Sequence, residues 1–250
     1  EDLLRVSDEQ LRKIRGNRIA MIFQDPQSSL NPVFPIGRQL LDVLKIHNQH
    51  MDEDSLRKLA HEKLIMVELP DHESVMELYP HELSGGMQQR VIMAIALSSS
   101  PTLLIADEPT TALDVTIQAQ LLVLLKKLKE NLGLSVLLIT HNLGVVRQLC
   151  DRIAIMYLGK IVELGDKWTI FSNPMHPYTQ ALLSAIPVPV PERERKTTEL
   201  IGDIPSAINI PSGCRFRTRC QCAKKACEEK EPELVPVSPN HYVACDSRIS

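Results

Sequence analysis

Three observations on this sequence predict an α/β fold built on a largely parallel sheet. Three short, nearly uniform apolar runs each end in a polar side chain: Arg18 to Phe23 before Gln24, Leu103 to Ala106 before Asp107 and Glu108, and Ser135 to Thr140 before His141. Strands buried on both faces of a parallel sheet read this way. Between the runs lie segments with helical apolar spacing. Beyond Gly165, prolines break the chain into an irregular extension that holds Cys214, Cys220, Cys222, Cys227 and Cys245.

In chain order, Ser7 to Arg15 is charged and compatible with a short surface helix. The first run delivers Gln24, whose amide oxygen can ligate Mg²⁺ or the water beside it. Asp25-Pro26-Gln27-Ser28-Ser29-Leu30-Asn31-Pro32 is turn chemistry. Gln39 to Asn48 and Asp54 to Leu69 carry apolar stripes (Leu40, Leu41, Val43, Leu44; Leu56, Leu59, Leu64, Val67) that read as core faces. His47, His50, His61 and His72 form no ligand constellation and read as surface or packing histidines.

Leu83-Ser84-Gly85-Gly86-Met87 precedes an apolar-periodic run, so Ser84 is placed to cap a helix whose first amides are left bare by two glycines. Such a helix start attracts anions. The second run delivers Asp107 and Glu108, of which one carboxylate can take a hard cation and the other, adjacent one orient or deprotonate a water attacking phosphorus. Asp114 can cap the amphipathic helix that carries Leu121, Leu122, Leu125, Leu128 and Leu132. The third run ends at His141, whose imidazole can hydrogen-bond a γ-phosphate or hold the water in line. Leu143 to Cys150 reads as a helix with Cys150 a buried thiol. Ile153 to Tyr157 and Lys160 to Glu163 flank Leu158-Gly159 as a hairpin closing the sheet's edge, so the core is expected to end near Gly165. One further helix is expected at Tyr178 to Ala185, among prolines at 174, 177, 187, 189, 191, 205 and 211.

Composition narrows the function classes. With 44% hydrophobic and 24% charged residues in 250, the chain is ordinary globular protein. A net charge of −3 argues against non-specific nucleic-acid binding. Runs such as Val91 to Leu97 are too short to span a bilayer, so any membrane link is expected through a partner.

In order along the chain, these motifs resemble those of ABC-type ATPases. Leu83 to Met87 looks like the signature, Leu103 to Glu108 the Walker B strand, Ala112-Leu113-Asp114 the D-loop, His141 the switch histidine and Gln24 the Q-loop. The resemblance covers essentially the whole chain. It implies two subunits sandwiching two ATP molecules, with Asp107 and Gln24 on Mg²⁺, Glu108 polarising the water and His141 on the γ-phosphate. Ser84, Gly85 and Gly86 would face the partner's nucleotide, and Asp114 would contact the partner across the dimer interface.

The same resemblance implies a partial ATPase core with the Q-loop at 1–32 and a helical subdomain with the signature at 33–100, which receives the membrane-spanning permease subunits. The core would resume at 101–165, and an extension would occupy 166–250. Asn173-Pro174-Met175-His176-Pro177-Tyr178 with Ala181-Leu182-Leu183 is similar to the carboxyl-terminal extension of peptide and nickel importer ATPases. The expectation is an ATP-hydrolysing subunit of a di- or oligopeptide importer, with nickel the alternative. It would lie peripherally at the cytoplasmic face of the membrane, pair with a second ABC ATPase subunit and be served indirectly by a substrate-binding protein, with no role for nucleic acid.

One expected motif is not in this sequence. None of the ten glycines opens a Gly-x-x-x-x-Gly-Lys-Ser/Thr loop to cradle phosphates. The chain therefore reads as amino-terminally incomplete, the rival being a non-catalytic ABC subunit. Finally, Cys214, Cys220, Cys227 and Cys245 are expected to bind a [4Fe-4S] cluster, with structural Zn²⁺ the alternative. A cytosolic chain has little use for disulfides, and the gaps exceed zinc's usual close pairs. Cys222, separated from Cys220 by Gln221 alone, is the spare. Arg215, Arg217, Arg219, Lys224 and Lys225 would offset the cluster's negative charge, and similarly spaced cysteines occur in this region of peptide-importer ATPases.

Overall fold

A computed structural model of the chain describes residues 2–111, 113–186, 200 and 202–246, so that Ala112 and the prolines at 187, 189 and 191 lie outside the described residues. The chain divides into two compact units, Glu1–His141 and Asn142–Ser250.

In the first unit, strands β1 (Ile19–Ile22), β2 (Leu103–Asp107) and β3 (Ser135–Ile139) form a parallel sheet in the order β1-β2-β3. The register sets Ile22 opposite Ala106 and Ala106 opposite Leu138, so all three strands end at one edge. The sequence reading expected burial on both faces. Only the face of Ala20, Ile22, Leu104 and Ala106 is closed, whereas Met21, Leu137 and Ile139 on the other are 37%, 51% and 45% exposed. On that second face the central strand's Leu103 and Ile105 are half-buried, so the strands show the one-sided alternation of a sheet closed on one face and partly open on the other.

Helix α1 (Asp8–Ile14) opens with a capping box between Ser7 and Gln10. The proline-rich turn after Gln24 closes into one short helix, α2 (Pro26–Ser29). Then come α3 (Ile36–His47), α4 (Glu53–Met66), the short α5 (His72–Val75) and α6 (Gly85–Ala96). Of the expected stripes, Leu40, Leu44, Leu56, Leu64 and Val67 are at most 3% exposed, whereas Leu41, Val43 and Leu59 are only half-buried; Val91 and Met93 of α6 are fully buried beside them. Two buried cations tie this helical layer to backbone carbonyls. Lys63 Nζ donates to Leu97 O at 2.9 Å, and Arg90 donates to Val67 O at 2.7 Å. His61 and His72 pack edge to face at 5.5 Å, as packing histidines do. Helix α7 (Val115–Leu132) ends at Gly133, whose φ of 60° suits a residue without Cβ.

In the second unit, α8 (Leu143–Leu149) is capped by Asn142. Strands β4 (Arg152–Tyr157), β5 (Lys160–Asp166), β6 (Val235–Ser238) and β7 (His241–Val243) form an antiparallel sheet in the order β4-β5-β7-β6. The hairpin at Leu158-Gly159 forms, with φ of 43° and 78°, the left-handed pair a two-residue turn requires. It does not close the edge of the parallel sheet as expected, because β5 pairs with β7 from the extension. Helices α9 (Lys167–Ser172), α10 (Pro177–Ser184) and α11 (Ala226–Glu229) complete the unit. Its core joins Val146, Ile153, Ile155, Tyr157, Val162 and Ile170 to Phe216 of the extension, and the Tyr157 and Phe216 rings meet edge to face at 5.2 Å.

A buried carboxylate fixes the extension onto β5. Glu163, fully buried, accepts from the backbone N–H of Met175 at 2.8 Å and of His176 at 3.0 Å, while His241 Nε2 of β7 lies 2.7 Å from Oε1. Burial pushes His176 down to about 4 against the pull of Glu163, so that ring is neutral at pH 7. Removing the shared acceptor strands two amides and a buried imidazole. Glu163→Ala is therefore expected to destabilise the second unit by about 3–5 kcal/mol, read as a lower urea midpoint by circular dichroism. Full stability in the variant would show that the carboxylate does not hold the extension.

Candidate functional site

The carboxyl edge of the parallel sheet gathers the residues that the sequence singled out. Asp107 is the last residue of β2, opposite Ile139 of β3. Glu108 leaves the strand with a left-handed φ of 47°, and its N–H donates to Ile139 O at 2.9 Å. A non-glycine residue held there is strained, which is common where a side chain is aimed for chemistry. Its carboxylate is held from two sides. His141 Nδ1 lies 2.5 Å from Oε1, and Thr111 Oγ1 donates to Oε2 at 2.6 Å. Burial pushes the Glu108 carboxyl up, but the hydrogen bonds from Thr111 and His141 and the charge of His141 outweigh it, so the group titrates below its ordinary value. The His141 side chain is 80% exposed while that of Glu108 is 17% exposed, so the imidazole can turn away without disturbing the carboxylate's seat. Gln24 lies two residues past Ile22, at the same end of the sheet.

The signature residues form a second group. Ser84 caps α6, its hydroxyl accepting from Met87 N–H at 3.4 Å, and Ser84 and Gly85 are exposed. The glycines serve packing as well as anion access. A Cβ on Gly86 would stand 2.7 Å from Ile117 Cγ2, and one on Gly85 3.3 Å from Leu113 Cδ2. Asp114 caps α7 through Ile117 N–H at 2.9 Å. The helix start and the Leu113-Asp114 loop are thus one packed surface, and the turn after Glu108 joins it to the carboxylate. Sequence reasoning missed two contributors. Thr111 was given no part, although a hydroxyl three residues after a carboxylate in a turn is placed to reach back to it. Buried Gln88 donates to Pro80 O at 2.7 Å and Leu83 O at 3.3 Å, anchoring the approach to Ser84.

In the second unit, Cys214, Cys220, Cys227 and Cys245 line one small cavity together with His176 and Phe216. Cys222 is not among the lining residues. Cys214 N–H donates to Cys227 O at 2.8 Å, and burial is the main cause that raises the Cys214 and Cys220 thiols. Among the described residues, no three His, Cys, Asp or Glu side chains stand close enough to share a single metal ion.

A parallel sheet carrying a carboxylate pair and a histidine at its carboxyl edge, beside a glycine-led, serine-capped helix, defines an ATP-binding cassette. The comparisons agree. Residues 2–111 match the family described as ABC transporter, and residues 162–227 match the oligopeptide/dipeptide transporter C-terminal region. The chain is 48% identical over 244 residues to a probable peptide ABC transporter ATP-binding protein, y4tR, of Sinorhizobium fredii, an alignment covering 98% of this chain and 72% of the relative. It is also 48% identical over 245 residues to the oligopeptide transport ATP-binding protein AppD of Bacillus subtilis, covering 98% and 74%. Among solved structures, the ATP-binding cassette MJ0796 bound to ADP and Pi superposes with a TM-score of 0.57 at 34% identity, covering 65% of this chain and 68% of that one. The chain belongs to the family of peptide ABC transporter ATP-binding proteins. Among its described residues no helix is long and apolar enough to cross a membrane.

The wall of the cysteine cavity yields a test. Gly213 has φ 64°, and a Cβ there would stand 2.4 Å from Cys227 O. Gly213→Ala is expected to cost at least about 2 kcal/mol, from strain and overpacking together. Thiol titration would then find Cys214 and Cys227 more reactive than in the parent. Unchanged stability and thiol reactivity would show that this wall is not closely packed.

Proposed function

We propose that this chain hydrolyses ATP to energise import of di- or oligopeptides through an ABC transporter. The observation that carries the reading is the Glu108 carboxylate, aimed from the end of β2 beside Asp107 and held by His141 and Thr111. The matched extension and the named relatives favour peptides over nickel.

In this mechanism Asp107 and Gln24 supply hard oxygen donors at one sheet edge, a set that fits Mg²⁺ with waters completing its shell. When bound, the ion neutralises charge on the β- and γ-phosphates. Glu108 orients the attacking water and accepts its proton, while His141 turns from Glu108 towards the γ-phosphate. Ser84, Gly85 and Gly86 present the bare amides of α6 to a nucleotide held by a second ATPase subunit, whose surface Asp114 also meets. Residues 33–100 form the helical subdomain on which the permease subunits rest, which places the protein peripherally at the cytoplasmic face of the membrane.

The extension, as part of this reading, holds a [4Fe-4S] cluster through Cys214, Cys220, Cys227 and Cys245. Supporting it, the four thiols line one cavity without Cys222, and basic side chains lie among them in sequence.

Two measurements test the reading. Turnover is measured on the full-length gene product. There Glu108→Gln is expected to leave ATP binding intact and to lower kcat by about 10²-fold or more. A variant turning over at more than about a tenth of the parental rate would remove Glu108 from that role. For the extension, anaerobic purification is expected to give a brown protein with iron and acid-labile sulfide in equal amounts. The colour should be lost in Cys227→Ser and kept in Cys222→Ser, and a colourless protein with one tightly held zinc would sink the cluster.

A further inference from the structure

The mechanism above gives Thr111 no part, yet its hydroxyl makes one of the two side-chain contacts that hold the Glu108 carboxylate. Thr111 Oγ1 donates to Oε2 at 2.6 Å, and His141 Nδ1 sits on Oε1 at 2.5 Å. The two holds differ in permanence. His141 is a mostly exposed side chain, and its proposed task on the γ-phosphate requires it to leave. Thr111 is half-buried, and its backbone N–H donates to Glu108 O at 3.1 Å, so the hydroxyl is fixed to the same turn as the carboxylate. The far end of that turn is anchored as well. Thr110 Oγ1 accepts from Gln118 Nε2 at 2.7 Å, Asp114 caps α7, and Leu113 and Ile117 close on Gly85 and Gly86.

We propose that Thr111 is the positioning residue that keeps the Glu108 carboxylate aimed at the attacking water once His141 has left it. The inference rests on reading Glu108 as the group that polarises that water. Without the hydroxyl, a carboxylate released by His141 is free to rotate, and small misplacements of a reacting group cost up to about 10²-fold in rate.

The test uses the full-length ATPase with Thr111→Val, which keeps the branched shape, and Thr111→Ser, which keeps the hydroxyl. Thr111→Val is expected to lower kcat about 10-fold or more with KM for ATP within about 2-fold. Thr111→Ser should restore kcat. Circular dichroism and ATP affinity equal to the parent's show that the variants are folded, and Thr111→Ala replaces Thr111→Val if the latter is not. A Thr111→Val enzyme with parental kcat, or a Thr111→Ser enzyme no better than Thr111→Val, overturns the proposal. Glu108→Gln run in parallel separates the two failures. If it turns over normally, the reading of Glu108 falls and this inference with it; if it is inactive while Thr111→Val matches the parent, this inference alone falls.

Discussion

The hydrogen bond from Glu108 N–H to Ile139 O, 2.9 Å long, is the contact on which the site depends. It extends the pairing of β2 with β3 one residue past Asp107, and so fixes how far Glu108 projects before the chain turns. Because the strands are parallel and in register, the same bond sets the position of His141, two residues beyond Ile139 and 33 from Glu108 in sequence. A one-residue slip would send Glu108 to the other face and separate it from the imidazole. The left-handed backbone at Glu108 is the cost of turning there, about 1–3 kcal/mol in typical cases, and the pairing behind it is what sustains that strain.

Much of this was legible in the sequence, for a physical reason. Apolar runs ending in charged residues report both the strand and its functional end, and the expected limits at Leu103, Ser135 and Val115 agree with the structure to within a residue or so. The capping roles of Ser84 and Asp114 were legible because a cap is a local interaction, set by residues three apart. Contacts between segments far apart were not. Nothing local reveals that Phe216 fills the core beside Tyr157, or that His241 reaches Glu163 across 78 residues. Strands β6 and β7 were missed because Val235-Pro236-Val237 looks like a broken segment. An edge strand tolerates its proline, and β6 is at the edge. The half-covered sheet was misjudged because an apolar run states what a strand can bury, not what is there to bury it.

The cysteine cavity shows how a site can be assembled from a proline-broken extension. Its four thiols come from three separate stretches, and the spacing that set Cys222 aside agrees with its position off the cavity wall. What draws the stretches together is not sulfur chemistry but ordinary packing. Gly213 lets the chain pass against Cys227 O where a methyl group would not fit, and Phe216 seats the turn between Cys214 and Cys220 in the core of the unit.

The two glycines of the signature carry two demands at once. Bare amides at a helix start invite an anion, and that demand alone would accept other small residues at some loss. Packing is stricter: at Gly86 a single added carbon would collide with Ile117, one turn into α7 and bonded through its amide to Asp114. Pressure on the start of α6 therefore passes to the first turn of α7. In the turn after Glu108, Thr111 Oγ1 donates to the carboxylate and Thr110 Oγ1 accepts from Gln118 of α7. The start of α6 is thus tied to the first turn of α7 by the apolar side chains of Leu113 and Ile117, not by the polar groups that cap either helix.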